Sequence, residues 1–336
     1  MTFVNLCTYC LFGLYTFWFS AHLLSKYPNR ILASAILPYL CPMSFRHLLS
    51  LIRVEHWVKN LFLLLPSFFA ARLTEPAVLW RAILGVLAFS LIASSVYVLN
   101  DLVDAPHDRN HPDKCKRPIA SGAVAPRQAI LLLAGLLLGG GALALHLHWE
   151  FLLIGAVYFV VNVAYSFSLK HIAIIDVSLI GLGFLLRVFA GGVVTGVDVS
   201  QWLIVLTFLL ALILGLAKRR GEYLVETNGQ PFRRALEGYN LPFLDMAIVV
   251  CSTVAIVAYL MYCFSPEVTG RIGSNKIYYT AFFVVIGVLR YLQLTLVYNK
   301  TESPTRALLR DLFLQIVLLG WIGSFVWLLY LKKMWG

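Results

Sequence analysis

The feature that most constrains this chain is a series of apolar runs, each long enough to cross a bilayer, separated by short polar breaks. They lie at 57–73, 77–99, 128–147, 150–169, 172–195, 201–217, 243–264, 277–298 and 310–331. A spanning helix needs about 20 mostly apolar residues, because it rises 1.5 Å per residue across a hydrocarbon layer of about 30 Å. Lys59, Asn60 and Pro66 interrupt the first run. A further apolar run at 3–24 lacks the basic start and small-residue cleavage site of a signal peptide, and is expected to be an extra N-terminal helix. The expected fold is therefore all-α and polytopic. It comprises an N-terminal apolar extension over 1–45 and a transmembrane domain over 46–336.

Composition agrees. Hydrophobic residues make up 60% of the 336 and charged residues 13%, against about 45–50% and about 25% in soluble domains. So few charges could not cover the apolar surface of a soluble chain, and disorder, collagen and coiled coil fail on the same figures. A net charge of +11 invites a nucleic-acid partner, but its placement argues for none. Alternating the nine runs puts the connections 100–127, 218–242 and 299–310 on one side, and these hold thirteen of the 27 basic residues. The opposite connections hold only Arg271 and Lys276. Basic loops stay in the cytoplasm, which accounts for most of the excess charge. Six cysteines, including Cys7 and Cys10, imply neither a disulfide framework nor a redox pair.

In such an apolar chain, carboxylates near a membrane boundary need a reason. Asn100-Asp101-Leu-Val-Asp104-Ala-Pro-His-Asp108 follows the second run. Aspartates at i, i+3 and i+7 share one helical face, with Pro106 expected to loosen the last turn. Three converging carboxylates repel unless a cation lies among them, and Mg²⁺ is commonly held by one or two carboxylates together with substrate phosphates. A basic run follows at once: Arg109, His111, Lys114, Lys116 and Arg117, then Pro118 and a Ser121-Gly122 turn. Lysine and arginine stabilise phosphate oxygens that a metal neutralises only in part. The pair of motifs points to a Mg²⁺–diphosphate site, with His111 before Pro112 fixing the loop.

Other polar residues sit where apolar ones are expected. Asp176 lies inside an apolar stretch after Tyr165-Ser-Phe-Ser-Leu-Lys170-His171. A buried carboxylate needs a partner or a metal. Arg187, on the same helical face, or Lys170 would serve in a purely orienting pair. Lys218-Arg219-Arg220-Gly-Glu222 closes the sixth run and either reaches phosphate or merely stops the helix. Lys59 lies deep enough to snorkel or to bind an anion. His56, His107 and His111 match no zinc spacing. The sequon at Asn299 falls on the cytoplasmic side, and Gly139-Gly-Gly141 reads as close helix packing.

At these residues the sequence resembles the UbiA superfamily of intramembrane prenyltransferases, whose NDxxDxxxD signature Asn100, Asp101, Asp104 and Asp108 match in full over a likeness spanning roughly 46–331. Within it, His56-Trp57-Val58-Lys59-Asn60, the HPxKxxRPIASG loop, YSFxLKH, Arg187-Val-Phe-Ala-Gly-Gly192, Lys218-Arg219 and Leu308-Leu-Arg310-Asp311 resemble the decaprenyl-phosphate phosphoribosyltransferase branch. Relatives that act on quinone precursors carry a second DxxxD motif, whereas here Ile180 follows Asp176. The resemblance implies nine transmembrane helices, cytoplasmic catalytic loops and Mg²⁺ as cofactor. It implies transfer of 5-phosphoribosyl from phosphoribosyl pyrophosphate (PRPP) to a polyprenyl phosphate, as in cell wall biosynthesis. Asn100, Asp101, Asp104 and Asp108 would hold the metal. Lys114 and Arg117 would act with Asp101, Asp104 and Asp176 in catalysis. Substrate binding would fall to Lys59, Asn60, Arg109, His111, Tyr165, Lys170, Arg187, Lys218 and Arg219. The alternative is transfer of a prenyl chain from its diphosphate to an aromatic acceptor. A transporter or lipid flippase is a further alternative, but no convincing inverted repeat is visible. The partners implied are PRPP, the lipid phosphate and the bilayer, and the sequence leaves a homo-oligomer open.

Overall fold

The structure, a computed structural model, describes residues 44–110, 114–226, 234–299 and 310–331. The expected N-terminal helix and His111 lie outside these residues. Among the described residues there is no β-strand, and eight helices are long and apolar enough to cross a membrane. We number the helices α1 (Phe45–Ile52), α2 (Pro76–Asp108), α3 (Pro126–Leu147), α4 (Trp149–Phe167), α5 (Ile175–Thr195), α6 (Gln201–Glu226), α7 (Leu241–Phe264), α8 (Asn275–Val297) and α9 (Leu312–Leu331). The protein is an integral membrane protein.

The run expected over 57–73 is built differently from the others. Val54–Leu64 forms a 3₁₀ helix, and only Leu65–Phe69 is α-helical, with Pro66 in its first turn. Proline lacks the N–H an α-helix interior requires but fits a helix start, so Pro66 begins a new helix instead of continuing the old one. The chain then turns through Ala71, which has φ +56°. Arg72 and Glu75 form an exposed pair in this turn, and Arg72's hydrogen bonds hold the Glu75 carboxyl below the usual carboxylate range.

The chain forms two compact units. Among the described residues, one comprises 44–55 with those of Ala93–Leu138, and the other comprises His56–Ile92 with those from Gly139 onward. In the first, Ser94 Oγ on α2 donates to the Ile52 carbonyl at 2.7 Å and secures the end of α1. In the second, α5, α6 and α7 enclose a core of Val177, Ile213, Leu216, Ala217, Leu244 and Ile248. Near the opposite ends of α7 and α8, Tyr259, Val268, Ile277 and Phe325 form another.

Lipid offers no hydrophobic drive for helix association, so close approach at small residues matters more. A Cβ on Gly191 of α5 would lie 1.9 Å from the Leu63 carbonyl oxygen. The 3₁₀ segment therefore rests directly on the α5 backbone. Of the three glycines at 139–141, only Gly140 is tightly packed: its Cβ would meet Ile92 at 3.0 Å and the Ala88 carbonyl at 3.2 Å, whereas Gly139 has open space. The close packing expected of the run belongs to one residue.

Candidate active site

Helix α2 does not end where its apolar run ends. It continues to Asp108 with Pro106 inside it, so Asp101, Asp104 and Asp108 share the expected face. Asp101 and Asp108 are buried, at 3% and 4% exposure, and Asn100 and Asp104 are half-buried. After the helix, Lys114–Lys116 makes a single 3₁₀ turn. The Arg117 carbonyl accepts from Ser121 N, the Pro118 carbonyl accepts from Val124 N, and Gly122 has φ +78°. The loop is thus fixed at the Pro118 and Ser121-Gly122 positions, as its sequence implied, and it returns Arg117 to the helix. Arg117 Nη1 donates to Asp108 Oδ2 at 2.7 Å and lies 3.3 Å from Asp101 Oδ1. Arg53 Nη2 donates to the same Asp101 oxygen at 2.5 Å. Lys114 and Arg109 are exposed beside this cluster in sequence.

Among the described residues no three histidine, cysteine, aspartate or glutamate side chains are grouped so as to hold a metal ion. The donors nevertheless suit one. Two buried carboxylates, two helical turns apart, already converge on a single cation, the Arg117 guanidinium. Oxygen donors of this kind are those that Mg²⁺ takes.

The second unit holds a separate charged cluster. Asp176 is in the first turn of α5 and is fully buried. Its partner is neither Arg187 nor Lys170 but Arg219 of α6, itself 1% exposed, with Nε 3.0 Å from Asp176 Oδ2. Eleven residues along a helix amount to about 16 Å, too far for Arg187 to pair with Asp176 whatever face they share. Arg219 also pairs with Glu222, whose other oxygen lies 3.8 Å from Lys218 Nζ. Tyr239 OH donates to Asp176 Oδ1 at 2.8 Å and accepts from the Ile174 N–H at 2.5 Å. Burial pushes the Tyr239 phenol well above its usual range, and the Asp176 contact adds to this, so it remains a donor. Ile174 has φ +68°, a conformation that branched side chains rarely adopt. The Tyr239 bond and the packing of Gly238 on Ala173 hold it there. Lys170, in the 3₁₀ turn Leu169–His171, and Tyr165 at the end of α4 are half-buried in the chain leading to this point.

Arg187 belongs to a third arrangement. It is 5% exposed and donates from Nε to Asn60 Oδ1 at 2.7 Å, from Nη1 to the Gly183 carbonyl at 2.7 Å, and from Nη2 to Tyr158 OH at 2.9 Å. Its guanidinium also lies over the rings of Phe89, Tyr158 and Phe184. Asn60, buried at 1%, completes the link by donating to Ser90 Oγ at 2.8 Å. Asn60 and Arg187, both expected at the substrate, thus hold the 3₁₀ segment against α2, α4 and α5 and fix the backbone beside Lys59. Arg220 makes a similar tie on the other helices, to Asp245 and Asn299 and to the Thr295 carbonyl.

Sequence reasoning missed Arg53, Tyr239 and Tyr158. Arg53 precedes the first apolar run and belongs to none of the motifs. Tyr239 follows a polar segment, and nothing in its neighbours marks it.

Known proteins resemble the chain along most of its length. The model of the UbiA prenyltransferase family matches residues 60–317. A protein of Mycolicibacterium smegmatis named decaprenyl-phosphate phosphoribosyltransferase is 32% identical over 292 residues, covering 82% of this chain and 90% of that one. A protein of the same name from Corynebacterium glutamicum is 30% identical over 291 residues, covering 84% and 86%. The structure of a UbiA homolog from Archaeoglobus fulgidus bound to GPP and Mg²⁺ superposes with a TM-score of 0.64 at 19% identity, covering 84% of this chain and 99% of that one. The helical fold, the acid-bearing end of α2 and the extent of these matches agree that the chain belongs to the UbiA prenyltransferase family.

Proposed function

We propose that this protein is a Mg²⁺-dependent phosphoribosyltransferase that moves 5-phosphoribosyl from PRPP to a polyprenyl phosphate and releases pyrophosphate, with its acid-bearing loop on the cytoplasmic face. Identity of 30–32% over more than four-fifths of the chain with relatives bearing that name carries the reading. The buried carboxylates with their attendant arginines support it.

In the proposed reaction a phosphate oxygen of the lipid bonds to the anomeric carbon of ribose as the bond from that carbon to pyrophosphate breaks. The nucleophile is already an anion, so the chief requirement is stabilising the departing charge rather than removing a proton. Asn100, Asp101, Asp104 and Asp108 would hold Mg²⁺, which supplies leaving-group neutralisation when bound. Arg117 and Lys114 would donate to the diphosphate oxygens as negative charge grows on them. Arg109 and His111 would line the same loop. Lys59, Lys170, Lys218 and Arg219 would receive the 5-phosphate or the lipid phosphate. Tyr165 and Asp176 would position the ribose hydroxyls. Asn60 and Arg187 would support Lys59 from behind.

Purified protein given PRPP labelled in its ribose, a polyprenyl phosphate and Mg²⁺ should yield labelled lipid, and Asp101→Asn and Asp104→Asn should abolish labelling. Absence of labelled lipid, with prenylation of an aromatic acid instead, would establish the aromatic prenyltransferase reading. Wild-type rates in both variants would remove the metal assignment.

A further inference from the structure

Arg53 ends α1 in the left-handed region, φ 49° and ψ 56°. That geometry, secured by the Ser94–Ile52 bond, sends its side chain along α2. The guanidinium lies over the Tyr97 ring, 5.1 Å from its centre, and reaches Asp101 one turn further on. With Arg117 it makes two guanidiniums for the two buried carboxylates of Asp101 and Asp108, so these four side chains are together neutral. A divalent cation taking Asp101 Oδ1 must displace a guanidinium. Carboxylate and phosphate oxygens both suit the planar fork of arginine, so a diphosphate arriving with the metal offers the displaced group a new partner.

We propose that Arg53 and Arg117 are exchangeable counterions. In the metal-free protein they occupy Asp101 and Asp108, and when a divalent cation and a diphosphate bind they pass to the phosphate oxygens. Arg53 thereby becomes a positioning residue for the diphosphate, and metal and diphosphate promote each other's binding reciprocally. The proposal rests on the metal assignment made under Proposed function.

The test uses the full-length protein in detergent with Mn²⁺ as the metal probe and labelled inorganic pyrophosphate. Arg53→Gln removes a competing cation and a phosphate ligand together, so its two effects have opposite signs. Mn²⁺ alone should bind about tenfold more tightly than to wild type, and pyrophosphate at saturating Mn²⁺ about tenfold more weakly, each near the value of one charge-assisted hydrogen bond. A merely structural role for Arg53 would weaken both. Arg53→Lys keeps the charge but loses the fork, and should show the same directions with smaller changes, which preserves the test if the glutamine variant does not fold. Mn²⁺ binding no tighter than wild type, or undiminished pyrophosphate binding, in whichever variant folds would overturn the proposal. The metal assignment itself fails separately, if wild type binds no Mn²⁺ with or without pyrophosphate or if Asp101→Asn binds it equally well.

Discussion

The Asp176–Arg219 pair allows a quantitative test, because both partners are almost completely buried and 3.0 Å apart. Removing one partner of a buried pair strands the other charge and costs about 3–5 kcal/mol, whereas replacing both with uncharged groups of similar volume is often close to neutral. Among the described residues, Asp176→Asn leaves Arg219 with Glu222, and Arg219→Met leaves Asp176 with the Tyr239 hydroxyl. Asp176→Asn should therefore fall toward the lower end of that range, about 3 kcal/mol, and Arg219→Met toward the upper end, about 5 kcal/mol. Domains of 150–250 residues lose about 2–4 °C of Tm per kcal/mol, so at the lower slope the variants should melt about 6 and 10 °C below wild type. The double variant should recover at least about a quarter of the summed loss, a coupling of at least about 2 kcal/mol. Tm is measured in one detergent, with the phosphoribosyl transfer assay run on the same preparations. Additive losses in the double variant would refute the pairing. A double variant that is stable yet inactive separates a substrate role for the pair from its structural one, whereas recovery of both stability and turnover would confine the pair to the fold.

Two further outcomes are expected. Lys114→Ala should raise the KM for PRPP about tenfold, in line with one lost charged hydrogen bond, and leave the KM for the lipid nearly unchanged; the reverse order in steady-state kinetics would count against its assigned role. Gly191→Ala places a methyl group 1.9 Å from the Leu63 carbonyl oxygen, so the 3₁₀ segment must move away at a cost of about 3 kcal/mol or more, seen as a Tm lowered by at least several degrees with Ser67→Ala as a control.

What the sequence revealed and what it concealed differ in physical kind. The acid face of α2 was legible because it depends only on helical periodicity, and the structure continues that helix to Asp108. The loop geometry around Pro118 and Gly122 was legible because those residues restrict their own backbone. Long-range partners were not. Arg53 meets Asp101 across 48 positions and Arg219 meets Asp176 across 43, and a periodic pattern carries no record of which neighbouring helix faces a buried charge. The partners expected for Asp176, Arg187 or Lys170, are therefore near it in sequence, whereas Arg187 supports Asn60 and Arg219 meets Asp176. The first run was ambiguous for another reason: its apolar content fits a span, but Lys59, Asn60 and Pro66 had marked where regular helix would fail, and the chain becomes 3₁₀ there.

The length of α2 has a consequence for how two unlike substrates meet. Trp80, on the exposed side of the helix, is the kind of residue that settles at a membrane–water interface. Twenty residues separate it from Asn100, about 30 Å of helix, which matches the hydrocarbon thickness. Asp104 and Asp108 then follow about 6 and 12 Å further along the helix, so with Trp80 at one interface they would extend past the hydrocarbon on the other side. A polyprenyl phosphate keeps its own phosphate at that depth without leaving the bilayer, and a water-soluble sugar diphosphate reaches it without entering the hydrocarbon. A helix seated in this way would act as a depth gauge, carrying its carboxylates just past the hydrocarbon, where both molecules could reach them.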